Sequence, residues 1–132
     1  MEERLNQYCE KYSVRESYTI KEVIEVIDAN QDRVAVVMND NDRVIGVVSQ
    51  GDIIRALTSG VNLYAQVSTI IRPSFLYETK RDMERAYSIF KRTQITMLPI
   101  LDEEFHLVDI INLKNIYAYL EMREPGAGKG KS

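Results

Sequence analysis

VAVVMNDNDRVIGVVSQGDIIRAL, residues 34–57, reads as strand, turn, strand, helix. Residues 34–38 are a short β-branched run. Residues 39–43 form a polar turn of Asn and Asp, residues that tolerate turn geometry. Residues 44–48 are a second apolar run with Gly46 inside it. Glycine is a weak strand residue unless a backbone or a ligand comes close. Ser49, Gln50, Gly51 and Asp52 then open a helix that carries Ile53, Ala56 and Leu57 on one side.

The rest of the chain extends outward from this unit. Upstream, Thr19 with Glu22 three residues later is a capping-box pattern. It starts a helix whose apolar face is Ile20, Val23, Ile24 and Ile27, with Asn30 as the stop. Before it, Leu5, Tyr8 and Tyr12 suggest a turn of helix leading into a strand. Downstream, residues 58–65 break around Gly60, and Pro73 stops whatever residues 67–71 begin. Residues 75–77 are a strand candidate. Asp82 caps a helix with Met83, Ala86, Tyr87 and Phe90 inward. A strand at 96–101 containing Pro99, a turn at 102–104, a strand at 105–111 and a helix at 112–120 complete the order.

Shifting the chain by 63 residues lays it on itself without a gap. Ile20, Val23, Ile24 and Ile27 fall on Met83, Ala86, Tyr87 and Phe90. Val34 falls on Met97, Val44 on Leu107, Val48 on Ile111 and Ile53 on Ile116. Such self-similarity signals one supersecondary unit used twice. The expected fold is therefore α/β (α+β): two tandem β-α-β-β-α repeats with pseudo-twofold symmetry and their sheets packed on each other. The first repeat with its lead-in takes residues 1–63, the second residues 64–121. Residues 122–132, rich in Gly and Lys, are expected to be a flexible tail.

Composition narrows the function. The 132 residues make one compact unit with 45% hydrophobic content, ordinary for a globular protein. A net charge of −3 gives no positive field to meet a nucleic-acid backbone. The single cysteine, Cys9, excludes an intramolecular disulfide and fits a reducing compartment. No apolar run approaches the ~18 residues of a membrane span. The start, MEERLNQ, is no signal peptide. The chain is expected to be soluble and cytoplasmic, with no nucleic-acid or membrane partner.

Strand-turn-strand-helix with Gly-Val-Val-Ser-x-x-Asp at its junction, present twice in tandem, resembles a cystathionine-β-synthase (CBS) domain pair, or Bateman module. The resemblance covers roughly residues 5–121, and VIGVVSQGDIIRAL and MLPIL carry it. It implies a cleft between the repeats that takes AMP, ADP, ATP or S-adenosylmethionine, with no cofactor required. It also implies pairing of modules into a homodimer. A covalently linked catalytic domain such as a sugar-phosphate nucleotidyltransferase is a further implication.

The junction has its own chemistry. A helix N-terminus presents free N–H groups that suit phosphate oxygens. Ser49 adds a hydroxyl there. Asp52, acceptor-only when ionised, suits the two vicinal hydroxyls of a ribose, and Gly46 would let a ligand approach the strand. The alternative is that Ser49 and Asp52 are simply a capping box, worth about 1 kcal/mol without any ligand. At the second junction Gly46 falls on Asp109, Ser49 on Asn112 and Asp52 on Asn115. Asn115 can still bond a sugar hydroxyl, but without charge, and Asp109 would repel phosphate. The Asp52 site is therefore expected to be the better one. Arg33 is the candidate phosphate partner, since arginine forks onto phosphate oxygens; a similar arginine reaches phosphate in the family's nucleotide-sensing kinase subunits. Its repeat mate is Thr96. Arg72 is a second candidate, and Val14 and Tyr77 line either an adenine pocket or the core.

Enzyme readings find little support. His106, the single histidine, has no Ser or Cys partner in a catalytic arrangement, and no Cys/His cluster suits zinc. The tail PGAGKGKS lacks the first glycine and the following helix of a phosphate-binding loop. Asp28, Asp32, Asp40 and Asp42 lack the spacing of a calcium loop. The expectation is a non-catalytic regulatory module, with a ligand-free dimerisation scaffold as the alternative.

Overall fold

A computed structural model describes residues 7–123. Leu5 and all but the first two residues of the expected tail lie outside them. The elements run α1 (Gln7–Glu10), β1 (Ser13–Arg15), α2 (Ile20–Asn30), β2 (Val34–Met38), β3 (Val44–Ser49), α3 (Gln50–Thr58), a 3-10 turn at Val67–Thr69, α4 (Met83–Arg92), β4 (Met97–Leu101), β5 (Leu107–Asn112) and α5 (Leu113–Arg123). One sheet has the order β1-β2-β3, with β1 parallel and β3 antiparallel to β2; the other pairs β4 with β5 antiparallel.

The repeat extends to fine geometry. Val34 pairs with Ser49 in the first hairpin, and Met97 with Asn112 in the second. Both hairpins shift register at the same place, between Val37 and Met38 and between Ile100 and Leu101. Asn39 closes the first turn by accepting from the amides of Asn41 and Arg43; Asp102 does the same for Glu104 and His106. Asp42 and its mate Phe105 both take left-handed backbone, φ 64° and 68°. That conformation is uncommon for a bulky aromatic, and the Asp102 turn imposes it. Arg43 pairs in an antiparallel bridge with His106, its own repeat mate, so the pseudo-twofold axis passes between these two turns.

Strand alternation builds three layers of core. Val36 and Met38 of β2 and Met97 and Leu101 of β4 face one another between the sheets, with Cys9, Tyr12, Val44, Leu107 and Ile110. Ala35 and Val37 point the other way, against Ile20, Val23, Ile27 and Ile53 of α2 and α3. Leu98 and Ile100 do the same against Ala86, Ile89, Phe90 and Ile116. Successive strand side chains alternate faces, so each central strand serves two cores. The sheets pack on each other as the repeat predicts.

The strand expected at 75–77 is not formed. Only Glu78 pairs, in a parallel bridge with Ile100, donating its N–H to Pro99 O and accepting from Leu101 N. It corresponds to the edge that β1 supplies in the first repeat. Pro73 removes a donor just upstream, Phe75 packs its ring against Tyr77 at 5.5 Å, and Tyr77 packs in turn against Phe105 at 5.3 Å.

Candidate functional site

Asn30 ends α2 and sets the entry to the site. It is buried. Its Nδ2 donates to Lys11 O and Val34 O, and its Oδ1 accepts from the amides of Asp32 and Arg33. Gln31 and Arg33 both take positive φ, 66° and 64°. This fold of the backbone brings Asp32 and Arg33 to the mouth of a cavity between the repeats. Thr96, from the second repeat, donates its hydroxyl to Asp32 O at 2.8 Å and seals the contact.

The cavity holds about 470 Å³, within the range of small-molecule sites. The first repeat supplies Asp32, Arg33, Ser49 and Asp52; the second supplies Arg72, Phe75, Gln94, Ile95, Thr96, Met97 and Pro99. Arg72 reaches across to Asp52, and Phe75, Ile95, Met97 and Pro99 supply apolar lining.

Ser49 caps α3. Its Oγ accepts from the Asp52 amide at 3.1 Å, and the Asp52 carboxylate accepts from the Ser49 amide at 2.8 Å. The reciprocal capping box is therefore present, whatever else the pair does. Asp52 has more partners than a cap requires. Arg55 Nη2 lies 2.7 Å from its Oδ1, and Arg72 Nε lies 3.1 and 3.2 Å from the two oxygens. Its side chain is only 9% exposed. Burial pushes its pKa up, but the Ser49 amide and the Arg72 guanidinium outweigh that and hold it below the usual carboxylate value. The carboxylate stays ionised with two arginines beside it. Arg33 Nη1 donates to Gln50 Oε1 at 3.2 Å.

Gly46 does not line this cavity. A Cβ there would sit 2.6 Å from the Arg72 carbonyl oxygen. The backbone that needs a bare Cα is the segment crossing β3 at Val47, where Val47 and Arg72 exchange both backbone hydrogen bonds. The glycine admits a neighbouring strand segment, and through it fixes Arg72 over Asp52.

The second junction is also a capping box: the Asn112 amide donates to Asn115 Oδ1 and the Asn115 amide to Asn112 Oδ1, both at 3.0 Å. Neither residue reaches the cavity, because the chain's own tyrosines cover them. Tyr8 donates its hydroxyl to Asn115 Oδ1 at 3.2 Å. Asn112 Nδ2 donates to the Tyr12 hydroxyl at 3.3 Å, and that hydroxyl donates to Asp32. Tyr12 is 1% exposed, and burial with the Asp32 contact drives its pKa far up. Asp109, the mate of Gly46, is paired with Arg81 at 3.0 Å. Val14 belongs to the core under α2 and Tyr77 to the aromatic trio, so neither lines the cavity. His106 Nδ1 lies 3.0 Å from Asp102 Oδ2 in its turn. Among the described residues no group of His, Cys, Asp and Glu could hold a metal ion, and no helix is long and apolar enough to cross a membrane.

Asp32, Asn30, Phe75 and the two plugging tyrosines were not singled out from the sequence as site residues. Phe75 and Tyr12 are repeat mates: one lines the open cleft, the other fills the closed one. That pairing was the signal available.

The family model for the CBS domain matches residues 9–59. The magnesium transporter MgtE of Thermus thermophilus is 30% identical over 118 residues, 85% of this chain and 25% of that protein. The chain spans about a quarter of the length of the curated relatives it matches. The solved cytosolic domain of the Mg2+ channel MgtE in complex with ATP is similar with a TM-score of 0.67 at 27% identity, over 83% of this chain and 45% of that one. A CBS domain protein from Pyrobaculum aerophilum complexed with AMP gives a TM-score of 0.68 at 21% identity, over 89% of this chain and 99% of that one.

Proposed function

We propose a function on the premise that the chain belongs to the CBS domain family and has the fold of a CBS domain pair. The module is a non-catalytic regulatory unit. It binds an adenine nucleotide, or an adenosyl compound such as S-adenosylmethionine, in the open cleft between its repeats. The observation that carries this reading is the cavity itself, lined by the half-buried, ionised Asp52, by two arginines, Arg33 and Arg72, and by the apolar side chains of Phe75, Ile95 and Met97. A ribose would hydrogen-bond Asp52, phosphate would meet the arginines and the N-terminus of α3, and the base would lie toward Phe75, Ile95 and Met97. A relative solved with AMP and one solved with ATP support the ligand class. Binding across both repeats favours one relative arrangement, which a linked or separate partner domain would feel. The module acts in the cytoplasm as a homodimer; the cytosolic placement of the MgtE domain supports the first part.

Thermal shift with AMP, ADP, ATP and S-adenosylmethionine tests the reading. A ligand at 100 times its Kd adds about 2.7 kcal/mol. Asp52→Asn is the matching variant, because Asn115 shows that an asparagine at this position keeps the capping box. Loss of the shift in a folded Asp52→Asn protein supports the site. No shift with any ligand at millimolar concentration favours the scaffold reading, which the already complete set of Asp52 partners would then explain.

A further inference from the structure

Asp32 belongs to both clefts. It lines the open cavity beside Arg33, yet its carboxylate accepts the hydroxyl of Tyr12, whose ring fills the closed cleft. We propose that Tyr12 is a positioning residue: it draws the Asp32 carboxylate out of the open cleft and so leaves Arg33 available for a phosphate. The inference rests on the nucleotide reading above and names a device that tunes that site for anionic ligands.

The argument is one of charge placement. The cavity wall carries Arg33 and Arg72 against Asp32 and Asp52. Asp52 already balances Arg72 at 3.1 Å. The remaining pair are sequence neighbours, Asp32 and Arg33. With its carboxylate turned inward, Asp32 leaves Arg33 bonded through Nη1, among the described residues, to the neutral amide oxygen of Gln50. Turned outward, it would pair with Arg33 and repel phosphate directly. Three contacts hold the inward arrangement. The Asp32 amide donates to Asn30 Oδ1 at 2.9 Å, the Thr96 hydroxyl donates to Asp32 O at 2.8 Å, and the Tyr12 hydroxyl donates to the carboxylate. The first two fix the backbone; only the third fixes the charge. Asn112, donating to the same tyrosine oxygen at 3.3 Å, orients the hydroxyl hydrogen toward Asp32. The closed second cleft thereby serves the open first one.

Tyr12→Phe keeps the ring and its packing and removes one hydroxyl. Titration calorimetry of the whole chain with AMP and with adenosine separates charge from fold. AMP binding should weaken about tenfold, between the water-screened and partly screened limits for two unit charges about 4 Å apart. Adenosine, without a phosphate, should change less than about twofold, because no like charge meets it. The double variant Tyr12→Phe with Asp32→Asn should recover AMP affinity, since the stray charge is gone. Equal weakening of AMP and adenosine, or no recovery in the double variant, would mean that Tyr12 is merely structural and overturn the inference while leaving the nucleotide reading intact. Unchanged AMP affinity in Tyr12→Phe would also overturn it. Failure of the wild-type chain to bind either ligand removes both readings together.

Discussion

Gly46→Ala should be among the most damaging single-methyl additions in this chain. The new Cβ would lie 2.6 Å from the Arg72 carbonyl oxygen, 3.2 Å from its carbon and 3.4 Å from Ile71 Cβ. The obstructing atoms are backbone, so no rotamer change relieves the contact. Either β3 or the 71–72 segment must move. Movement breaks the two bonds between Val47 and Arg72, at 3.2 and 3.0 Å, each worth about 0.5–1.5 kcal/mol net. Overpacking adds about 1–3 kcal/mol. Stiffening the unfolded chain returns only about 0.4–1 kcal/mol. The net loss is about 1–6 kcal/mol. At about 3–5 °C per kcal/mol for a chain of this size, Tm falls by roughly 3–30 °C. Urea unfolding monitored by tyrosine fluorescence should show a lower midpoint at unchanged slope. Because Arg72 moves with its backbone, any ligand of the Asp52 cleft should also bind more weakly. A variant within about 0.5 kcal/mol of wild type, the ordinary scatter of surface changes, would refute the idea that Gly46 exists to admit the Arg72 backbone.

Three further outcomes follow from the same geometry. Asp52, depressed in the folded state by the Ser49 amide and Arg72 despite its burial, stabilises the fold fully above its ordinary value near pH 3.8, and that contribution disappears as pH falls through its lower folded value. Stability of Asp52→Asn should therefore depend less on pH below about pH 4 than wild type does; identical acid limbs in urea titrations would contradict this. Burial pushes the Cys9 thiol up to about 11, and the residue is 1% exposed. Ellman's reagent at pH 8 should label it only at the rate of unfolding, and burst labelling in native protein would count against the packing of α1. Thr19→Ala should cost about 1 kcal/mol, because both halves of its box with Glu22 are formed; a change near zero would show that α2 is held by packing alone.

The fold was legible because the apolar pattern is periodic and local. Strand alternation and helix spacing each span a few residues, and the 63-residue offset needs only those patterns to recur. Hence the second hairpin repeats the first down to its register shift. Less legible was anything decided by contact between distant segments. The strand expected at 75–77 failed because Phe75 and Tyr77 found aromatic neighbours, Phe105 among them, that a local reading does not see. In the sequence Gly46 marks the place for a close approach, but whether ligand or backbone approaches depends on where Arg72 returns across β3. Arg33, Ser49, Asp52 and Arg72 come together in one cavity. Asn112 and Asn115 do not, because Tyr12 and Tyr8, 100 and 107 residues away in sequence, cover them.

The asymmetry between the clefts has one physical root. Position 72 of the second repeat corresponds to position 9 of the first, and Phe75 to Tyr12. Around Arg72 the chain is extended and bridges β3, which demands a glycine at 46 and leaves Phe75 on the wall of an open cavity. Around Cys9 the chain is the helix α1, packed against β5. Among the described residues no strand crosses there, so Asp109 fits where Gly46 would otherwise be required, and it pairs with Arg81. The helix swings Tyr8 and Tyr12 onto Asn115 and Asn112. The asparagine at 115 and the tyrosines that plug its cleft are therefore two sides of one arrangement. An ionised carboxylate at this half-buried position beside Tyr8 would incur a desolvation cost without an arginine like Arg72 bonded to it, whereas an asparagine completes the capping box and accepts the Tyr8 hydroxyl at no such cost. Asn115→Asp should accordingly destabilise the second repeat, while the reverse change at Asp52 is tolerated.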